Sequence, residues 1–127
     1  MIKSAKELVA EANAGVTKMS AADAIAQRDA DTVFVDVREP AERARGTIPG
    51  SVGAPRGLLE FMADPSSPMH NAAIADDRKL VVFCASGGRS ALAAKTLRDM
   101  GYGDVSHIEG GIGAWQAAGG PVEPGKD

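Results

Sequence analysis

The sequence predicts one α/β domain with a mainly parallel central sheet flanked by helices, on three observations. Short apolar runs rich in β-branched residues, "TVFVDV" at 32–37 and "KLVVF" at 79–83, read as buried strands. Stretches with helical periodicity and capping residues separate them, and strand and helix in alternation imply parallel pairing. The 127 residues are enough for one domain, with residues 15–122 as its expected core and residues 123–127 expected to fray. Hydrophobic residues make up 44% and charged residues 24%, the balance of a globular chain, while aromatics are only 4%. The core must therefore be built from closely packed Ala, Val, Leu and Ile.

Each element has a local justification. Ser4 to Glu7 matches a capping box that opens a helix, and Gly15 ends it. "VTKMS" is a short strand, and Ser20 with Asp23 opens a second helix running to about Gln27. After the 32–37 strand, residues 39–45 form a charged helical turn with Pro40 at its first position. Glycines and prolines bracket a short strand at Ser51 to Ala54. Residues 56–64 are helical up to Pro65, and residues 66–78 form an irregular loop. The strand at 79–83 leads to the strongest helix, "SALAAKTLRDMGY", with Ala93, Leu97 and Met100 on one face and Gly101 as its stop. "DVSHI" is the last strand and "IGAWQAAGG" the last helix.

Several classes of function are excluded or disfavoured. A net charge of -3 without a Lys/Arg run argues against nucleic acid or an anionic membrane as the main partner. One cysteine cannot form an internal disulfide, and no apolar stretch resembles a leader or a membrane span, so a cytoplasmic location is expected. His70, Cys84 and His107 lack metal-ligand spacing, and neither a metal nor a cofactor is expected.

In open parallel sheets, ligands bind beyond the carboxyl ends of the strands. Asp36 and Arg38, Arg56, Cys84 to Arg89, and Glu109 to Gly111 all follow strands, so one edge should gather them. Cys84, the single cysteine, has two readings. It is either a small buried hydrophobe at the end of an apolar strand, or a nucleophile. A thiol reacts as its thiolate and needs local positive potential. A helix beginning near Ser90, a Gly87–Gly88 nest of N–H groups and the Arg89 guanidinium could supply it. Arginine is electrostatically unfavourable in a first helical turn unless an anion sits nearby, which favours the nucleophile.

Four segments resemble the rhodanese family of sulfurtransferases. They are "FVDVREPAER", "GTIPGSVGAP", "VVFCASGGRSALAAKTLRDMGY" and "HIEGGIGAWQAAGGPV". Thr47 stands where the family commonly has histidine and Ser51 where it has alanine, both in a turn read as structural. The resemblance implies that Cys84 carries a persulfide, taking sulfur from a donor such as thiosulfate and passing it to a thiophile, cyanide or a thiol. It implies that Ala85, Ser86, Gly87, Gly88, Arg89 and Ser90 bind the substrate and that Asp36 and Arg38 support the pocket, a local salt bridge being the alternative; Arg56, following a strand, either rims the pocket toward a donor's oxyanion or is an exposed turn residue. A protein sulfur donor or acceptor, or a non-catalytic partner-binding module, is the alternative. Four residues separate Cys84 from Arg89, against five in the cysteine phosphatases, which favours sulfur transfer. Ser90 is expected as a plain N-cap, His107 as a surface or packing residue, and Trp115 as core or closing surface.

Overall fold

The computed structural model describes residues 1–126. The elements are α1 (Ala5–Gly15), β1 (Thr17–Met19), α2 (Ala21–Ala26), β2 (Thr32–Asp36), α3 (Pro40–Arg45), β3 (Val52–Gly53), a 3-10 turn (Arg56–Leu58) running into α4 (Leu59–Ala63), β4 (Lys79–Phe83), α5 (Gly88–Asp99), β5 (Val105–Ile108) and α6 (Gly111–Ala117). Local chemistry sets several of these starts. Ser4 and Glu7 form the reciprocal capping box of α1, the Ser20 hydroxyl accepts from the Asp23 N–H, and Pro40 opens α3.

The five strands lie in the order β1-β5-β4-β2-β3, and every pairing is parallel. β4 is therefore the middle strand, and the order of the chain reverses between β2 and β4. Ligands in open sheets bind at such a reversal. Successive strand residues point to opposite faces, and both faces are covered. Val33, Val35, Leu80, Val82 and Cys84 share one layer with Leu59 and Ala63 of α4 and with Ala93, Ala94 and Leu97 of α5. Phe34, Val81 and Phe83 share the other with Ala21 and Ala24 of α2 and with Ile112 and Trp115 of α6. Phe34 and Trp115 meet edge to face, with ring centroids 5.5 Å apart.

Three expectations are corrected. Met100 is 39% exposed and does not continue the stripe of Ala93 and Leu97. The helix stops at Asp99, and Gly101 takes φ 111°. The Tyr102 N–H then closes on the Leu97 carbonyl and the Gly101 N–H on that of Arg98, a Schellman closure that sends Met100 outward.

The C-terminal segment does not fray where it is described. Glu123 pairs antiparallel with Thr47, the Gly125 N–H donates to the Arg43 carbonyl, and the Trp115 indole donates to the Pro121 carbonyl. The fraying expected of Asp127 lies outside the described residues. Finally, α1 lies before the expected core but packs on α5, with Ala12 fully buried. Among the described residues no helix is long and apolar enough to cross a membrane.

Candidate active site

Cys84 is the first residue after β4 and sits on the same face as Leu80 and Val82, so its side chain passes beneath the start of α5. The chain then turns through Ala85 and Ser86 to Gly87, whose φ of 122° is a conformation that side chains with a Cβ rarely adopt. Gly87 caps α5, which begins at Gly88, two residues earlier than Ser90. The expectation of Ser90 as N-cap is thus overturned. Ser90 lies in the first turn of α5, where its hydroxyl meets the Gly87 carbonyl at 3.2 Å, His107 Nδ1 at 3.0 Å and Cys84 Sγ at 3.5 Å.

The Sγ atom accepts from the Gly87 N–H at 3.1 Å and from the Ser90 N–H at 3.4 Å. Cys84 is only 2% exposed, packed like a core residue, and two backbone N–H groups are aimed at its sulfur. Burial pushes the thiol up, but the Ser90 hydroxyl and the N–H groups of Ser90, Gly87 and Ser86 outweigh it and leave the thiol below its ordinary range. The thiolate is therefore populated at lower pH than in a free cysteine.

The loop is braced from α6. The Ile112 N–H donates to the Cys84 carbonyl at 2.8 Å and the Gly113 N–H to the Ala85 carbonyl at 3.3 Å. Gly111 has φ 62°, and a Cβ there would lie 2.5 Å from backbone atoms of Cys84 and Ala85. Gly111→Ala is expected to displace the cysteine loop and lose about 2 kcal/mol or more of stability, through a backbone clash added to left-handed strain. A thermal melt and the rate of Cys84 alkylation check it. An unchanged melt with unchanged alkylation refutes the bracing.

Arg89 does not lie on the sulfur. Its guanidinium makes two hydrogen bonds to the Glu42 carboxylate of α3, at 2.8 and 3.0 Å. The Arg89 hydrogen bond holds the Glu42 carboxyl at about 2, so the pair persists down to strongly acidic pH. Arg89 acts on Cys84 through its field alone, and the sulfur in turn helps to hold Arg89 charged, after the larger effect of Glu42.

Asp36 is fully buried and is the hub of a polar cluster. It accepts from the Arg38 N–H, Nε and Nη2 at 3.0, 3.0 and 2.9 Å, from Arg43 Nη1 at 3.3 Å and from Thr47 Oγ1 at 2.8 Å. Arg43 also reaches Ser51, and Arg38 reaches the Gly46 carbonyl and covers the Phe83 ring at 5.9 Å. The turn at 47–51 is therefore structural, and Thr47 and Ser51 both serve it. Arg56 is held by Glu60 and by Thr96, further along α5, and is not brought to the sulfur. A cavity of about 230 Å³ lies between α3 and α6, lined by Arg38, Glu42, Arg45, Gly46, Ile112 and Gln116.

Residue-by-residue reading missed Glu42, Arg43 and the contact of His107 with Ser90. His107 is 2% exposed beneath α5, not at the surface. Nothing local in the sequence ties Glu42 to Arg89 or His107 to Ser90, because each pair forms only when distant elements pack.

A family model described as a rhodanese-like domain matches residues 20–118. A sulfurtransferase of Allochromatium vinosum is 39% identical over 103 residues, covering 79% of this chain and 89% of that protein. The thiosulfate:glutathione sulfurtransferase of Saccharomyces cerevisiae is 31% identical over 105 residues, covering 76% of this chain and 73% of that protein. A solved structure from Rhodopseudomonas palustris, described as a protein of unknown function and possible tyrosine phosphatase, superimposes with a TM-score of 0.91. It is 49% identical, with 97% of this chain and 96% of that one covered.

Proposed function

This chain belongs to the rhodanese-like domain family, and we propose that it is a sulfurtransferase working through a persulfide on Cys84. The observation that carries the reading is the Cys84 sulfur at the end of the middle strand, with N–H donors at 3.1 and 3.4 Å and its thiol held low. Sulfurtransferases among its relatives support the class of chemistry. In the first half-reaction the Cys84 thiolate attacks the outer sulfur of a donor such as thiosulfate. A bond forms between Sγ and that sulfur, the donor's S–S bond breaks, and sulfite leaves with the electron pair. In the second half-reaction a thiophile, cyanide or a thiol, takes the outer sulfur and Cys84 leaves as thiolate. Two easier steps replace one direct transfer.

In this reading the loop N–H groups of Ser86, Gly87 and Ser90 stabilise charge on sulfur, and Ala85 and Gly88 shape the turn. Arg89 contributes its field from Glu42. Asp36 and Arg38 hold the wall of the cleft between α3 and α6, and Arg56 has no direct part. Neither a metal nor a cofactor enters either step.

A second reading is phosphoryl hydrolysis, in line with the description of the Rhodopseudomonas structure. Two features weigh against it. Four residues separate Cys84 from Arg89, and the guanidinium needed for an equatorial phosphoryl clamp is spent on Glu42. A third reading, a persulfide carrier fed by a protein, uses the same cysteine.

Intact-mass measurement separates them. Incubation with thiosulfate should add one sulfur atom to the chain, and cyanide should remove it. Loading only from a persulfidated protein donor would support the carrier. Hydrolysis of a small aryl phosphate without any sulfur gain would replace the proposal with the phosphatase reading.

A further inference from the structure

Behind the sulfur, hydrogen bonds run on to a residue that neither half-reaction uses. Cys84 Sγ meets Ser90 Oγ at 3.5 Å, Ser90 Oγ meets His107 Nδ1 at 3.0 Å, and His107 Nε2 meets Asn13 Oδ1 at 2.8 Å. The chain crosses four elements: the end of β4, then α5, β5 and α1. Asn13 precedes the residues that the family model matches.

The order of donors follows from the far end. An amide oxygen facing Nε2 requires that nitrogen to carry the hydrogen, which leaves Nδ1 bare in the neutral ring. The one Ser90 O–H then has two acceptors, the Gly87 carbonyl at 3.2 Å and Nδ1 at 3.0 Å; donated along the shorter contact to Nδ1, it leaves oxygen lone pairs for the Cys84 S–H. When the thiolate forms, the Ser90 proton is wanted at sulfur, and an oxygen lone pair faces Nδ1. That arrangement is satisfied only if Nδ1 has gained a hydrogen.

We propose that Ser90 and His107, oriented by Asn13, form a proton relay for Cys84, with His107 as the positioning residue that stores the thiol proton. The step balances without any co-reactant. The Sγ–H bond breaks and its proton passes to Ser90 Oγ, while the Ser90 proton passes to His107 Nδ1. Thiol and neutral imidazole become thiolate and imidazolium. After the second half-reaction the departing Cys84 thiolate can recover that proton by the reverse path.

The groups facing His107 fit this use. Burial holds the ring below its usual range, Glu109 just past the end of β5 acts in the opposite sense, and Lys18, its register partner on β1, adds to the effect of burial. Burial thus disfavours the charged ring while Cys84 keeps its proton. The ring accepts a proton when that proton leaves a compensating negative charge on sulfur nearby. The inference deepens the sulfurtransferase reading and rests on Cys84 being its nucleophile.

Two measurements test it without any sulfur transfer. Alkylation of Cys84 by iodoacetamide is followed against pH in the parent and in His107→Asn, which keeps a hydrogen-bonding group toward Ser90 but cannot store a proton. The variant should react about tenfold more slowly near neutral pH, as expected for strongly coupled sites, and should match the parent once the thiolate is complete at high pH. The His107 ring is also titrated by NMR in the unaltered chain and in Cys84→Ser. Its midpoint should move to lower pH in the variant, because no thiolate remains to retain the imidazolium.

A rate ratio that is the same at every pH, or superimposable His107 titrations, would overturn the relay. Failure of thiosulfate to load Cys84 refutes the reaction instead and leaves both readouts standing.

Discussion

Cys84→Ser is expected to keep the fold and to lose sulfur transfer to the level of the uncatalysed reaction. Serine is close in size to cysteine, and its Oγ can accept the same Gly87 and Ser90 N–H groups that now reach Sγ. The hydrogen bonds of the cradle stay satisfied, so stability should change by no more than about 1 kcal/mol. Chemistry is another matter. The cradle lowers a thiol that ionises in mildly alkaline water on its own, whereas a hydroxyl starts many orders of magnitude further away, and an oxygen in that place cannot form the persulfide. The checks are a thermal melt, intact mass after thiosulfate, and thiocyanate release with cyanide. Retained thiosulfate:cyanide turnover would remove Cys84 as the nucleophile.

Asp36→Asn is expected to destabilise the protein by about 3–5 kcal/mol, the usual cost of removing one partner from a buried ion pair. Asp36 is fully buried, and Arg38 and Arg43 beside it are 6% and 5% exposed. The substitution keeps the shape but deletes the charge that faces both guanidinium groups. It also presents an amide NH₂ to donors where a carboxylate oxygen accepted. Arg38 retains the Gly46 carbonyl and Arg43 retains Ser51, which limits the loss but leaves two cations in a buried site. In a chain of this size the melting temperature should fall by roughly 10–20 °C. Chemical denaturation with a linear extrapolation checks the free energy directly. A loss below about 1 kcal/mol, the scale of an exposed pair, would mean that the cluster is solvated and that Asp36 is not its hub. A parallel measurement of Cys84 alkylation in the folded fraction separates scaffold from chemistry: the cluster holds the strand ends, so the thiol should stay reactive wherever the fold survives.

Much of the fold is legible residue by residue because its causes are local. Ser4 with Glu7, Ser20 with Asp23, and Pro40 mark helix starts through hydrogen bonds or torsions within four residues, and such signals need no tertiary context. The strands at 32–36 and 79–83 are legible because both of their faces are buried, which leaves an unbroken apolar run. Of the site, Cys84 and its glycine loop were legible because a lone thiol before a glycine pair and an arginine is unusual chemistry for a core. The misreadings were also local in origin. Ser90 follows a glycine turn whose positive φ starts the helix early, and Met100 is the C-cap residue enclosed by a Schellman closure. In both cases the backbone conformation, rather than the residue type, decided where the side chain points.

Sequence alone thus determined the α/β class, the order of elements, the placement of Cys84 beyond a strand and the family resemblance. Only the tertiary structure decided the strand order, the pairing of Arg89 with Glu42 across 47 residues, and the meeting of His107 with Asn13 across 94. The physical reason is that periodicity and capping are read from neighbours along the chain. A buried polar group, by contrast, takes whichever partner the packing of distant elements brings within hydrogen-bond reach, since leaving it unpaired costs more than almost any local preference can offset.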